Sequence, residues 1–270
     1  MKIKGQNVLI TGGASGIGKI MGRLVLEKGA AKLIIWDINA ESIGKAIAEL
    51  SPLGEVHGFV ADISNPASID TAAASTKTTC GKIGILINNA GIITNNLPFS
   101  QQTDSDIDRT IDINAKGAMY VTRRFLGDMI SAGCGHICNI TSAAGMLSMP
   151  KMSLYAASKW AALGWSDSVR IELQTAKSPV KVTTVAPYFI NTGMFDGIKS
   201  KVFRIQDPEK VSRKVIKAIE KDKIFQGAPF SFHFIRICQG LFPFCIFDPF
   251  FGKAFGLYTV MDHFTGRKAK

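Results

Sequence analysis

The chain has 270 residues, of which 46% are hydrophobic and 20% are charged, so it carries enough apolar material for the core of one large domain. Its five cysteines form no CxxC pair and its four histidines have no ligand spacing, which argues against a disulfide framework and predicts no metal site. Of the net charge of +11, residues 199–270 contribute +8, with 14 Lys or Arg against 6 Asp or Glu.

Short β-branched segments alternate with longer helical patterns along the chain. The predicted strands are 7–11, 32–37, 55–60, 83–88, 136–141 and 180–185, with a last strand near 223–227. The predicted helices are 16–29, 41–50, 66–80, 104–130 and 154–176. Asn39 and Asp104 are candidate N-caps. Most strands are apolar throughout, which is typical of a parallel sheet buried on both faces, so the alternation predicts a single α/β domain with a doubly wound sheet.

The connection between the first strand and the first helix is rich in glycine, with Gly12, Gly13, Gly16 and Gly18. Glycine permits a tight turn and a close backbone approach, and the helix N-terminus offers amides and a positive dipole to a pyrophosphate.

Asp37 follows at the end of the second strand, where a carboxylate accepts hydrogen bonds from ribose hydroxyls and repels a 2′-phosphate. Neither Ser15 nor Ile38 is a cation, although Lys19 is near. These residues favour NAD(H) over NADP(H).

A second group of polar residues lies in the segment NITSAAGMLSMPKMSLYAASK. Tyr155 and Lys159 are four residues apart and therefore project from one helix face. Lowering a tyrosine pKa from 10 to about 7 takes roughly 4 kcal/mol, which a neighbouring ammonium and a positive nicotinamide ring are suited to supply. Ser142, at a strand end, is placed to hydrogen-bond a substrate oxygen.

The ordered motifs TGGASGIG at 11–18, Asp37, NNAG at 88–91, Asn114 in DINAKG, Ser142 and YAASK at 155–159 together resemble the short-chain dehydrogenase/reductase family over about residues 5–225. The resemblance implies a Rossmann fold with a seven-stranded parallel sheet and NAD(P)-dependent carbonyl and alcohol chemistry. It carries over Tyr155 as general acid/base, Ser142 as orienter, Lys159 as ribose binder and modulator of the Tyr155 pKa, and Asn114 as holder of a water.

The resemblance also implies the cofactor contacts. Asp62 in VADIS matches the adenine contact, Asn89 and Gly91 match cofactor-side support, and Thr192 matches the contact with the nicotinamide carboxamide. The full expected set is Gly12, Ser15, Gly16, Ile17, Gly18, Asp37, Asp62, Ile63, Asn89, Ala90, Gly91, Tyr155, Lys159, Pro187, Ile190 and Thr192.

One departure from the family is Tyr188, which follows Pro187 where a glycine is common. With LIIWDIN and the late MDHFTGR, this stretch resembles the branch of retinol dehydrogenases and 17β-hydroxysteroid dehydrogenases, whose N-terminal hydrophobic segment we do not find here. The expected substrate contacts are Ser142, Met149, Met152, Tyr155, Phe189 and Met194, with Met146, Leu147 and Phe195 bordering them. This apolar set predicts a lipophilic alcohol or ketone of retinoid, steroid or long-chain type.

Two other functions fit parts of the pattern. A 3-oxoacyl thioester reductase would use NADPH and dock an acidic carrier on a basic patch, which Asp37 disfavours and the basic C-terminal part allows. A non-catalytic NAD-binding sensor or scaffold would be expected to lack Tyr155, Lys159 or Ser142, and all three are present. No nucleic-acid-binding motif accompanies the charge, so we do not expect nucleic acid as a partner.

The C-terminal part contains nine phenylalanines between Phe230 and Phe255. We expect residues 1–227 to form the NAD-binding domain with the catalytic site, and residues 228–270 to form an extension. The alternation in PFSFHFIRI predicts a strand with one apolar face. Three roles for the extension remain open: subunit or core packing, a substrate cover, and monotopic membrane contact. The family resemblance implies a homodimer or homotetramer.

The remaining sequence features concern localisation. Scattered cysteines predict reduced thiols and a cytoplasmic protein, and residues 1–6 show no signal-peptide pattern. The uncharged run from Ile237 to Phe247 has 11 residues, whereas a membrane span needs roughly 20. We therefore expect peripheral contact with a membrane at most.

Overall fold

The computed structural model describes residues 1–200, 204–254 and 256–266. Its seven strands are β1 (Asn7–Thr11), β2 (Lys32–Asp37), β3 (Glu55–Val60), β4 (Ile85–Asn88), β5 (His136–Ile140), β6 (Lys181–Pro187) and β7 (Phe225–Ala228). They pair in parallel in the order β3-β2-β1-β4-β5-β6-β7. The predicted doubly wound, seven-stranded parallel sheet is confirmed.

Helices cover both faces of this sheet. They are α1 (Gly16–Glu27), α2 (Ala40–Leu50), α3 (Pro66–Cys80), α4 (Asp104–Ile111), α5 (Ala118–Ser131), α6 (Ser153–Thr175), α7 (Pro208–Glu220), α8 (Ile235–Leu241) and α9 (Phe244–Pro249). Strand side chains alternate between the two faces, so Val8 and Ile10 share one core with α1, α2 and α7, whereas Leu9 shares the other with α3 and α5. Burial on both faces explains the continuous apolar strands.

The predicted helix 104–130 differs from the structure at its start and in its middle. Thr103, rather than Asp104, is the N-cap, because its hydroxyl accepts from the Asp106 amide while the Asp106 carboxylate accepts from the Thr103 amide. Asn39 caps α2 as predicted. Between α4 and α5, residues 112–117 form a π-helical segment, which places one additional residue in the helix.

The predicted strand in PFSFHFIRI is wrong. Residues 230–233 form a 3-10 turn and α8 begins at Ile235. Pro229 directly follows the edge strand β7 and has no amide hydrogen to continue the ladder, so strand pairing ends there. Phe232 is fully buried, whereas Phe244 is 74% exposed. Phe255 lies outside the described residues, as do the side chains of Phe230 and Phe251.

Two glycines inside helices have opposite surroundings. A Cβ at Gly18 in α1 would lie 2.1 Å from the Gly12 carbonyl oxygen, whereas a Cβ at Gly44 in α2 would meet no atom within 4 Å. Glycine at position 18 therefore permits α1 to approach the β1–α1 loop, and glycine at position 44 only weakens its helix.

Alanine should consequently change stability in opposite directions at these two positions. We expect Gly44→Ala to raise the free energy of unfolding by about 0.5–1 kcal/mol, because alanine loses less backbone entropy in a helix. Gly18→Ala should lower it by roughly 1–3 kcal/mol, because the loop must move to accept the methyl group. Urea denaturation of both variants checks this; equal effects would contradict the packing described for Gly18.

Candidate active site

Hydrogen bonds from the residue that follows β4 hold the β1–α1 loop in place. Gly12 and Gly16 adopt positive φ values of 62° and 53°. The Asn89 side-chain amide donates to the carbonyl oxygens of Thr11 at 3.0 Å and Gly12 at 3.1 Å. Ser15 provides no side-chain cap for α1, so the positive end of the helix remains available to an anionic group.

Asp37 lies beside this loop at the carboxyl end of β2. Its two carboxylate oxygens accept from the backbone amides of Ala14 at 3.2 Å and Asn39 at 3.3 Å, which fixes the carboxylate next to the loop. The following residue, Ile38, is 66% exposed. Lys19 forms an ion pair with Glu49 at 2.6 Å, which directs its ammonium toward α2.

Buried hydrogen bonds set the relative positions of β4, β5 and β6 beneath the site. The Asn88 amide donates to Asn139 Oδ1 at 2.8 Å, and the Asn139 amide donates to Ser166 Oγ at 2.8 Å. Ser166 in turn bonds Thr184 at 2.7 Å. These groups tie α6 to three strands, so side chains on α6 have fixed positions at the strand ends.

Tyr155, Lys159 and Ser142 meet at this end of the sheet, as their sequence positions predict. Tyr155 and Lys159 lie on α6, and both are buried. The Lys159 ammonium lies 5.7 Å from the centroid of the Tyr155 ring and donates to the Ile140 carbonyl at 3.3 Å. The Ser142 hydroxyl lies near enough to the Tyr155 phenol to lower the pKa of that phenol.

Burial controls the protonation of this group. It raises the pKa of Tyr155 to about 12, and the Ser142 hydroxyl opposes the rise. Burial also lowers the pKa of Lys159 to about 8. The expected lowering of the tyrosine pKa is therefore not achieved by Lys159 alone, and the surroundings formed by the chain keep the phenol neutral at pH 7.

The Asn114 side chain holds together three segments that surround the site. Its amide donates to the Ile92 carbonyl at 2.9 Å and to Ser158 Oγ at 3.1 Å, while its Oδ1 accepts from the Ile92 amide at 2.8 Å. The side chain thus links the π-helical segment to α6 and to the chain after β4. The expected water-holding role of Asn114 stays a prediction.

One cavity of about 310 Å³ unites the glycine loop with Tyr155. Gly18 and Asn114 do not line it, because they pack behind its wall. The expected cofactor residues that line it are Gly12, Ser15, Gly16, Ile17, Asp37, Asp62, Ile63, Asn89, Ala90, Gly91, Tyr155, Lys159, Pro187, Ile190 and Thr192.

The end of the cavity near Tyr155 is apolar and aromatic. All six expected substrate residues line it, namely Ser142, Met149, Met152, Tyr155, Phe189 and Met194, whereas Met146 and Leu147 do not. The Phe195 ring packs edge-on against Tyr155, with centroids 5.8 Å apart, and also contacts Phe264 of the extension at 6.4 Å. Among the described residues that line the cavity, Lys159 is the only cation.

Several residues in the cavity wall belong to no predicted motif. Tyr188 is buried between Phe189, at a centroid distance of 4.6 Å, and Phe232 of the extension, at 5.5 Å. Its only sequence signal is its place in the family's Pro-Gly position. The other wall residues without a prediction are Trp36, Ile38, Ala61, Ile92, Ile113, Ile140, Thr141, Ala143 and Ala144, each next to or near a predicted one.

Within residues 1–200, 204–254 and 256–266 no three His, Cys, Asp or Glu side chains are grouped to hold a metal ion. None of the helices in these ranges combines the length and the apolarity that a bilayer crossing requires.

Known proteins resemble this chain in sequence and in fold. The mouse (Mus musculus) epidermal retinol dehydrogenase 2 is 34% identical over 99% of this chain and 88% of its own. Estradiol 17-beta-dehydrogenase 11 of Pongo abelii is 33% identical over 89% and 80%. A short chain dehydrogenase/reductase of Burkholderia phymatum, solved in complex with NAD, superposes with a TM-score of 0.80 at 23% identity, covering 87% of this chain and 93% of its own.

The family profile described as short chain dehydrogenase matches residues 6–202, which include the glycine loop, Ser142, Tyr155 and Lys159. The match spans more than half of the chain. This match, the strand order of the sheet and the relatives above agree. The chain is an oxidoreductase that belongs to the short chain dehydrogenase family.

Proposed function

We propose that the chain is an NAD-dependent dehydrogenase that interconverts a lipophilic primary or secondary alcohol, of retinoid, steroid or long-chain type, with its aldehyde or ketone. The observation that carries this proposal is the continuity of one cavity from Asp37 and the glycine loop to Tyr155, where Lys159 is the only charged side chain among the described residues of an otherwise apolar end. The names of the two relatives, a retinol and an estradiol dehydrogenase, support the same substrate class.

In this proposal Tyr155 is the general acid/base. During oxidation its phenolate oxygen takes the hydroxyl proton of the alcohol, and during reduction the neutral phenol returns a proton to the carbonyl oxygen. Ser142 orients the substrate oxygen beside the phenol. The Lys159 ammonium favours the phenolate and binds ribose. Asn114 is a positioning residue that holds the Ile92 backbone against the cavity. A nicotinamide dinucleotide bound in this cavity would supply the hydride-transfer chemistry.

The chain is suited to hold a nicotinamide dinucleotide along the same cavity. A Cβ at Gly12 would lie 2.9 Å from Ala90 Cα, so the loop packs closely against the segment that follows β4, and Gly12 lines the cavity. In the proposal the α1 N-terminus binds the pyrophosphate and Asp37 binds the adenosine ribose. The remaining assigned contacts are Asp62 and Ile63 for adenine, Asn89 to Gly91 for support, and Pro187, Ile190 and Thr192 for nicotinamide.

Substrate class and acid/base role are tested together. With NAD, the wild type should oxidise retinol, estradiol or a long-chain alcohol and leave small sugars unchanged. Tyr155→Phe should lower turnover of the accepted alcohol at least 10²-fold, because only the proton-transfer group is removed. NAD binding, measured calorimetrically, should remain within about twofold, since the ring is kept. A clear preference for sugars would contradict the substrate class, and an active Tyr155→Phe enzyme would contradict the role of Tyr155.

The preference for NAD over NADP rests on the anchored Asp37 carboxylate and on the ion pair that commits Lys19 to Glu49. We expect Asp37→Ser with Ile38→Arg to reverse the ratio of kcat/KM values for NAD and NADP, because the repelling carboxylate is replaced by a cation beside the 2′-phosphate. Lys19→Ala should leave the ratio within about twofold. An NADPH preference in the wild type would favour the 3-oxoacyl thioester reductase alternative.

Two exposed apolar surfaces support the assembly that we propose. Trp160 and Ile171 on α6 are 45% and 53% exposed, and we assign this face to a homodimer or homotetramer contact. Leu241 and Phe244, at the end of α8 and the start of α9, are 71% and 74% exposed within an extension bordered by basic segments. We assign this second face to peripheral contact with a lipid surface, reached from the cytoplasm.

Paired variants separate the two surfaces. Leu241→Ser with Phe244→Ser should abolish sedimentation with phosphatidylcholine–phosphatidylserine vesicles, because the side chains that enter the lipid become polar, and should leave the oligomer intact. Trp160→Ser with Ile171→Ser should dissociate the oligomer, measured by light scattering, and leave vesicle binding intact. A wild type that stays in the supernatant would contradict the lipid contact, and dissociation by the first pair would make its surface a subunit contact.

A further inference from the structure

A second cavity lies between the extension and the loop that follows Ser142. Its volume is about 160 Å³, and Leu147, Met149, Phe247, Leu257 and Tyr258 supply most of its apolar lining. Met149 also lines the cavity that contains Tyr155, so the two cavities share this residue in their walls. The proposed function assigns no role to this second cavity.

The walls of the second cavity are held in place on both sides. Gln239 of α8 donates to the Met146 carbonyl at 2.6 Å, and Lys151 forms an ion pair with Asp262 at 3.0 Å. These two contacts join the loop to the extension before and after Met149. The cavity is therefore bounded by two segments whose relative position is fixed.

A glycine shapes the outer wall. A Cβ at Gly252 would lie 2.1 Å from Cζ of Tyr258, and the Tyr258 amide donates to the Gly252 carbonyl at 3.2 Å. The ring lies directly against the glycine backbone, which keeps it at the side of the cavity. Replacing this glycine would displace the ring.

We propose that the second cavity is a subsite for the hydrocarbon tail of the substrate, which reaches it from Tyr155 by passing Met149. Methionine is unbranched and adapts to the groups beside it, so it suits a partition that a flexible chain passes. Asp248 is the one carboxylate among the described residues of the lining, and it disfavours a tail that ends in an anion. The subsite therefore takes an uncharged aliphatic or polyene chain. This inference rests on the proposed function.

Ser148 allows a direct test, because it is exposed and lines the second cavity but not the first. With NAD, the wild type should have a KM for 1-dodecanol at least about tenfold below that for 1-hexanol, since two buried methylenes already account for such a factor. Ser148→Trp should reduce this ratio below about twofold and leave kcat/KM for 1-hexanol unchanged. Thr78→Trp, on an exposed face of α3, is the matched control and should keep the wild-type ratio.

Equal KM values for the two alcohols in the wild type, or equal losses for both in Ser148→Trp, would overturn the tail subsite while leaving the proposed oxidation intact. A binding measurement distinguishes failure of the oxidation itself. Irradiation of a dodecanol that carries a terminal diazirine should label peptides containing residues 147–150 or 247–258 in the wild type, and Ser148→Trp should lose this label. Labelling confined to other peptides would overturn the subsite whether or not turnover occurs.

Discussion

The site depends on a buried ammonium. Lys159 is 4% exposed, and burying a cation is costly unless polar groups and close packing compensate. The chain meets this constraint with the Ile140 carbonyl and with two glycines: a Cβ at Gly91 would lie 3.3 Å from the ammonium, and a Cβ at Gly145 would lie 2.7 Å from the Lys159 carbonyl oxygen. The ends of β4 and β5 and the start of α6 are arranged around one charge, and the same burial controls Tyr155.

Much of the fold is predictable because most of the buried strands are rich in β-branched residues, as β1 (Asn7–Thr11) and β6 (Lys181–Pro187) are. The elements that the sequence did not predict correctly can be explained physically. The predictions omit α7, although Asp207 caps it, Pro208 follows at its first position and apolar residues recur at helical spacing. The predicted strand after Pro229 failed for another reason. Alternating phenylalanines satisfy a strand pattern, but a strand also needs a neighbour with which to pair, and that requirement is set by tertiary structure.

The candidate site was predicted largely from motifs at strand ends, because parallel strands bring their carboxyl ends to one edge. Sequence spacing locates a residue on an element but does not tell whether its side chain faces the cavity or supports the wall. Gly18 and Asn114 belong to family motifs and nevertheless pack behind the wall. Tyr188 belongs to no predicted motif of the site, and it lines the cavity beside the neighbouring ring of Phe189 and the ring of Phe232, which comes from a distant part of the chain.

The π-helical segment at 112–117 sets the phase between two functions of one long helix. Within the π-helical segment, Asn114 accepts a hydrogen bond from the Ile92 amide. After the segment, Thr122 accepts a hydrogen bond from Asn88, and Phe125 packs in the core. Deleting one residue here would restore regular α-helical bonding and rotate everything that follows by about 100°. Either the cavity support or the core contacts would then face the wrong way, so the length of this helix is far less free to vary than that of a surface loop.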